Sequence, residues 1–258
     1  MRWNLPFLSK AEEPVSRLAD ARVPDGHRIY AIGDVHGRFD LLIGLLKRIK
    51  GDTAARRPAD THVVMLGDLV DRGPHSAHVL EYLRAHRDGF ATFHFVGGNH
   101  EEAMLTSLRD DDAPEDSGWL DFGGRETMLS YGADPTIFDM QGANLAAAMR
   151  RLVPRIHLDF LDSFEDSIQF GDYLFVHAGI RPGIAIDQQS GKDLRWIRQL
   201  FLEDGRDHGV VVVHGHSITE EPDVRHNRIG IDTGAYRSGV LTALALEGGE
   251  RWLMMEQA

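Results

Sequence analysis

The sequence has no cysteine among its 258 residues. That excludes a disulfide framework, a thiolate metal site and a cysteine nucleophile, and it fits a reducing compartment. No run of about 18 apolar residues occurs, so no membrane-spanning helix and no membrane partner are expected. The first residues, "MRWNLPFLSKAEEPVSRLAD", hold no apolar stretch of signal-peptide length and soon turn acidic; the expected location is the cytoplasm. Positive charge is also short. Lys and Arg number 28 against 40 Asp and Glu, a formal net charge of -12. Phosphate backbones need a basic footprint, so no nucleic-acid partner is expected. What remains is 42% hydrophobic and 26% charged, an ordinary globular composition on a chain long enough to bury a sizeable core.

Pro6, Pro14, Pro24 and Gly26 break up the first stretch. Residues 1–26 therefore read as a flexible N-terminal arm and 27–258 as one domain. Strand and helix patterns then alternate. "RIYAIGD" (28–34), "THVVMLGD" (61–68) and "FATFHFVGGN" (90–99) read as buried strands. "RFDLLIGLLKRIK" (38–50), with Leu42, Leu45, Leu46 and Ile49 at helical spacing, and "SAHVLEYLRAHR" (76–87) read as the helices between them. A β-α-β-α-β order implies parallel pairing with helices on the sheet, an α/β fold.

The middle, 101–165, is rich in helix formers and reads as a helical insertion, broken by "DDDAPEDSG" and "SYGADP". The acidic run lacks EF-hand spacing and reads as a solvated loop. Strand signals return in "DYLFVHAG" (172–179), "GVVVVHGH" (209–216), "RIGIDTG" (228–234) and "GVLTALALEGG" (239–249), with a helix, "GKDLRWIRQLFLED", between the first two. The short connections make these late strands read as antiparallel.

The chemistry sits where strands stop. "VVMLGDLVDRG" ends an apolar strand on Asp68 and Asp71, two carboxylates that repel unless a cation holds them. "GDVHG" puts Asp34 and His36 at another strand end, "GGNHE" puts Asn99 and His100 at a third, and "VHAG" and "VHGH" add His177 and His216. In open α/β sheets these carboxyl ends form the ligand crevice, and the flanking glycines permit sharp turns and close approach. A single Asp after a strand is usually a turn or helix cap, and a single His is usually structural. Five such ends together are hard to explain as caps. His214, two residues before His216, shares its side of an extended strand and is the weakest ligand candidate. His62, His75, His78, His86, His94 and His226 lack the strand-end glycine context and read as structural or surface residues.

This set resembles the metallophosphoesterases, and more closely the phosphoprotein phosphatase family with its bacterial and phage serine/threonine phosphatases. GDxHG, GDxxDRG, GNHE, HAG and a later strand-end histidine all occur in the family's order, from residue 28 to about 240. The arm lies outside the likeness and the helical middle matches loosely. The resemblance implies a four-layer metallophosphoesterase sandwich of two mixed β-sheets flanked by helices. It implies two divalent metal ions, manganese by likeness to bacterial relatives, with iron or zinc as alternatives. Asp34, His36 and Asp68 would hold the first ion; Asp68, Asn99, His177 and His216 the second, with Asp68 bridging. Ile218 stands where related phosphodiesterases carry a further histidine, which favours the phosphatase branch.

By the same resemblance His100 is the general acid and Asp71 its orienting carboxylate, while Arg72 and Arg198 bind the phosphoryl group. Arg198 comes from "RWIRQ" and is preferred over Arg195; Arg181 and Arg237 are secondary candidates, and Tyr236 a lining residue. The implied activity is a phosphomonoesterase, a serine/threonine protein phosphatase acting on a phosphoprotein or small phosphate ester. It would work by direct attack of a metal-bridging hydroxide, with no covalent intermediate. The alternative is a bis(5'-nucleosyl)-tetraphosphatase, a branch that usually has alanine where Asp71 stands. A non-catalytic scaffold would lack a ligand or the acid, and this chain lacks none of them.

Overall fold

The computed structural model describes residues 17–85, 89–109 and 118–258. The expectations for residues 1–16, for His86 and for the acidic run at 110–117 lie outside the described residues. In chain order the elements are α1 (Arg17–Asp20), β1 (His27–Ile32), α2 (Phe39–Ala55), β2 (Asp60–Met65), α3 (Ser76–Ala85), β3 (Thr92–Phe95) and α4 (Asn99–Leu108). Then come α5 (Gly124–Ser130), α6 (Gly142–Leu152), α7 (Arg155–Asp162), β4 (Ser167–Phe170), β5 (Tyr173–Val176), α8 (Gly191–Trp196) and α9 (Gln199–Leu202). The chain closes with β6 (Val211–His214), β7 (Asp223–Val224), β8 (Arg228–Gly230), α10 (Ala235–Ser238), β9 (Val240–Glu247) and β10 (Glu250–Gln257).

The strands form two mixed five-stranded sheets, ordered β10-β9-β1-β2-β3 and β4-β5-β6-β8-β7. β1, β2 and β3 run parallel, as the alternating pattern implies. Strand periodicity divides their side chains between two layers. Ile29, Ala31, Val64 and Leu66 face the second sheet and meet its Phe175, Val213 and Ile229. Tyr30, Ile32, Val63 and Met65 face outward under Leu42, Leu45 and Ile49 of α2. Leu174, Val176 and Val212 cover the other outside, under Leu194 of α8 and Phe201 of α9. The result is a four-layer α/β/β/α sandwich. Each fully buried Leu or Ile contributes about 1.5–3 kcal/mol, so these three apolar layers hold the strand ends in register around the site.

Three readings of the sequence are corrected. β5, β6 and β8 are parallel, not antiparallel. The stretch 215–227 carries the chain back before β8 starts, with β7 pairing antiparallel on its edge; β9 leaves for the first sheet altogether. Parallel pairing is what brings the ends of β5 and β6 to the same edge.

The arm is also not loose throughout. Ala21 and Val23 are buried in the inter-sheet layer. Val23 N donates to Gly248 O at 3.0 Å, and Arg22 N to Asp172 Oδ2 at 2.9 Å. The prolines stop regular structure there but leave the apolar side chains free to dock. Finally, β4, β7 and β10 were not anticipated. β10 forms a hairpin with β9 around Gly248 and Gly249, and Gly248 takes a φ of 54°, the turn that a Gly-Gly pair favours. No described helix is long and apolar enough to cross a membrane.

Candidate active site

The backbone marks the site before the side chains do. Among the described residues, five non-glycine positions have positive φ: His36, Asp68, Asp71, Arg72 and His216. All five come from the strand-end motifs. Left-handed backbone at non-glycine residues persists only where surrounding structure enforces it, and it clusters at functional sites. Two glycines make the crowding possible: a Cβ on Gly98 would overlap the Asp68 carboxylate, and one on Gly215 would overlap that of Asp34.

Asp68 lies at the centre and is buried. Its carboxylate is 3.5 Å from His36 Nε2, 3.4 Å from His177 Nε2 and 3.8 Å from His100 Nε2. Burial opposes its ionisation, but the imidazoles around it, His177 first, hold its carboxyl below the usual carboxylate range.

The histidines are oriented for lone-pair donation. His36 Nδ1 meets Val70 O at 2.8 Å and His177 Nδ1 meets Leu66 O at 2.8 Å. A carbonyl accepts, so each Nδ1 carries the hydrogen and each Nε2 is left with a lone pair. Burial pushes the pKa of His36 down to about 3 and that of His216 to about 2, and lowers that of His177, so these rings stay neutral.

One acceptor therefore faces another: His177 Nε2 is 2.9 Å from Asn99 Oδ1. His216 Nδ1 lies 3.2 Å from the same nitrogen and is placed to donate to it, which leaves His216 Nε2, buried without a hydrogen-bond partner, with a free lone pair. One nitrogen or oxygen from each of His36, Asp68 and His100, and again from each of Asp68, His177 and His216, lies within 4.8 Å of its set. Converging lone pairs with one shared carboxylate fit divalent cations. Arg72 Nη1 donates to His36 Nε2 at 2.9 Å, placing a positive charge against that lone pair.

Asp34 joins the site from β1. It accepts the His216 backbone N–H at 3.1 Å and lies against Asp232. Burial, then the charges of Asp232 and Asp68, push the pKa of Asp34 well up, and burial takes Asp232 to about 6. Two carboxylates so placed share a proton unless a cation displaces it.

The contact between His100 and Asp71 is equally well defined. His100 Nδ1 is 2.7 Å from Asp71 Oδ2, with both residues buried. Trp119 Nε1 donates to the same Asp71 oxygen at 2.9 Å, and Thr127 Oγ1 donates to Asp71 Oδ1 at 2.6 Å. At His100 burial is outweighed by Asp68 and Asp71, which raise the pKa of the imidazole.

The remaining candidates divide. Arg198 is exposed, and its charge acts on His177 and His216. Arg195 is committed to ion pairs with Glu102, at 3.0 Å, and with Asp166. Arg181 pairs with Asp193 at 2.6 Å, and Arg237 is exposed on α10. Tyr236 does line the site, edge-on to His36 at 5.3 Å and beneath the Arg72 guanidinium at 4.9 Å. His214 does not share His216's side as extended alternation implies. The left-handed turn at His216 ends the alternation, and the His214 ring packs on Phe201 at 5.3 Å.

The sequence matches the family model for calcineurin-like phosphoesterases over residues 27–238. The chain belongs to this family. Among its relatives, the asymmetrical bis(5'-nucleosyl)-tetraphosphatase PrpE of Bacillus velezensis is 25% identical over 82% of this chain and 86% of its own length. The serine/threonine-protein phosphatase 2 of Escherichia coli is 26% identical over 89% and 97%. These relatives place the metallophosphoesterase in the phosphoprotein phosphatase type. The fold of a crystal structure described as a putative diadenosine tetraphosphatase superposes with a TM-score of 0.59, at 19% identity, over 91% of this chain and 98% of that one. Family members use a binuclear divalent centre, and this metallophosphoesterase has the donor groups for one.

Four residues of the site were missed by sequence reasoning. Glu101 accepts the backbone N–H of Asp68, Leu69 and Gly98 at 2.7, 2.7 and 2.9 Å, locking the turn after β2; it is the last letter of "GGNHE". Asp232 ends the apolar run "RIGID" before Thr-Gly, the same signal that marked Asp34. Trp119 and Thr127 lie in the helical middle, where no motif distinguishes them.

Proposed function

We propose that this chain is a metal-dependent phosphomonoesterase acting on phosphoserine or phosphothreonine in proteins. The observation that carries the reading is the 2.7 Å pair of His100 and Asp71. An alkoxide leaving group is strongly basic and needs a proton as the P–O bond breaks. A nucleotide leaving from a polyphosphate is a weak base and needs none. A buried imidazole whose Nδ1–H is held by a carboxylate, itself fixed by Trp119 and Thr127, suits the harder leaving group.

In this reading Asp34, His36 and Asp68 hold one divalent cation and Asp68, Asn99, His177 and His216 a second. The two ions, manganese by preference, supply Lewis acidity and lower the pKa of water. Arg72 and Arg198 bind and orient the phosphoryl oxygens through planar donors. His100 delivers its proton from Nε2, and Asp71 keeps the other nitrogen protonated.

A second reading, hydrolysis of dinucleoside polyphosphates, is favoured by the relatives of that name. It also suits the open cavity of about 480 Å³ lined by Arg72, Phe122, Arg125 and Tyr236, which offers aromatic and cationic surface to a nucleotide. The test is kcat/KM for a phosphothreonine peptide against diadenosine tetraphosphate, both with Mn²⁺. The proposal requires the peptide to be the better substrate by at least tenfold. The reverse preference would establish the second reading, and no turnover of either would remove both.

A further inference from the structure

A second set of metal-type donors lies at the opposite end of the first sheet from the active site. His27 opens β1, Asp60 and His62 open β2, and His94 lies on β3. The parallel register sets His27 beside Asp60, Ile29 beside His62 and Val64 beside His94. Residues two apart on a strand share a face, so all four point with Ile29 and Val64 into the inter-sheet layer. That apolar layer thus ends in a polar cluster. Phe170 of β4, from the other sheet, lies over it at 4.8 Å from His62 and 5.4 Å from His94.

The donor atoms converge. His27 Nδ1 is 3.1 Å from His62 Nε2. Asp60 Oδ2 is 3.9 Å from the first and 3.7 Å from the second. His62 Nδ1 is 3.0 Å from His94 Nε2. We propose that His27 Nδ1, His62 Nε2 and Asp60 form a binding site for one Zn²⁺ ion, separate from the catalytic centre, with His94 orienting His62 by accepting its Nδ1–H.

The geometry suits the ion. Two imidazole nitrogens bound to one tetrahedral zinc at about 2.0–2.1 Å stand roughly 3.3 Å apart, close to the observed separation. The Asp60 side chain is 66% exposed, so it has the freedom to shorten its longer distances. Two imidazoles and a carboxylate are a recurrent zinc donor set, with water in the fourth position. A ligating histidine almost always donates its other N–H to an acceptor that fixes its tautomer, and His94 stands where that acceptor belongs. Burial lowers the pKa of His62 and of His94, which keeps both rings neutral and their lone pairs available. Five residue steps of about 3.3 Å separate the two ends of β1, so an ion here is too far from the strand ends to touch a substrate. Its effect is to tie the starts of β1 and β2 together, and β3 through His94.

The test uses untagged full-length protein, stripped with a chelator and dialysed against Zn²⁺, with bound metal counted by mass spectrometry. Wild type binds three equivalents. His27→Asn, at a half-buried position at the start of β1, and Asp60→Asn, at an exposed one, either stop at two or bind the third at least tenfold more weakly, with far-UV circular dichroism confirming that both fold. The phosphatase turnover of Mn²⁺-reconstituted His27→Asn stays within twofold of wild type. His94→Phe weakens the third ion by roughly 10–100-fold while keeping the stoichiometry at saturation. Wild type that saturates at two equivalents overturns the proposal. So does His27→Asn protein that binds zinc as wild type does. The histidines would then only hydrogen-bond one another.

Discussion

Trp119 and His100 meet on one oxygen atom: the indole Nε1 lies 2.9 Å and the imidazole Nδ1 2.7 Å from Oδ2 of Asp71. Thr127 takes the other carboxylate oxygen at 2.6 Å. Three side chains from three separate segments thus fix a single buried carboxylate, and that carboxylate fixes the ring. With Nδ1–H committed to Asp71, His100 presents Nε2 to the centre, 3.8 Å from Asp68.

Removing either partner therefore separates chemistry from metal binding. His100→Asn lowers kcat by roughly 10²–10⁴, the usual effect of losing a general acid, with bound metal unchanged by elemental analysis. In Asp71→Asn the amide offers N–H to Nδ1 and favours the wrong tautomer, so kcat falls while KM holds. Near-normal turnover in His100→Asn removes this residue from the role.

Asp68 is the converse case. Its carboxylate faces three imidazole nitrogens at 3.4, 3.5 and 3.8 Å. Asp68→Asn should abolish activity and lower metal content together. Chelation of the wild type should do the same, with activity restored by Mn²⁺ and the melting temperature lower in the stripped protein, since a ligand bound only to the native state stabilises it. Full metal stoichiometry in Asp68→Asn contradicts a bridging role.

These residues were legible because each sits where an apolar run stops at a glycine. Asp34, Asp68, Asn99, His177 and His216 announce themselves by that pattern, and parallel β-α-β order brings their ends to one edge. Asp232 obeys the same rule and was passed over because an Asp before Thr-Gly also reads as a turn. Trp119 and Thr127 were not legible at all. They reach Asp71 from 48 and 56 residues away, and no local spacing encodes a contact of that range. The pairing direction of β6 and β8 was misread because a short connection suggested a hairpin, while the β7 excursion that reverses the chain has only two strand residues. Burial of Ala21 and Val23 was hidden by the prolines around them.

His214 makes acid stability testable. Its ring is buried against Phe201, and burial pushes its pKa from 6.5 down to about 4. The unfolded chain takes up this proton near pH 6.5 and the folded chain does not. Stability is therefore fully present above pH 6.5, falls as pH drops toward 4, and changes no further for this group below it. A shift of this size amounts to about 3 kcal/mol. His214→Phe keeps a ring against Phe201 without a titratable nitrogen. It should lose less stability than wild type between pH 6.5 and 4 in urea melts, with stability at pH 7.5 conserved or improved. Superimposable pH profiles would show that His214 is not buried as a neutral ring.

The two arginines of "RWIRQ" give the sharpest contrast. Arg195 is spent on Glu102 and Asp166, and Trp196 Nε1 donates to Glu102 at 2.5 Å, so its guanidinium braces α8 against α4. Arg198 is exposed and acts electrostatically on His177 and His216. A charge-assisted hydrogen bond to phosphate is worth about 1.5–3 kcal/mol, which is roughly a tenfold to hundredfold loss of kcat/KM for Arg198→Ala. Arg198→Lys, a point charge without the planar fork, recovers part of it. Arg195→Ala leaves kcat/KM within about threefold, in line with the small worth of a partly exposed ion pair, and shows itself in melting temperature instead. If Arg195→Ala is the variant that loses kcat/KM while Arg198→Ala keeps it, the assignment of the second phosphate-binding arginine is reversed.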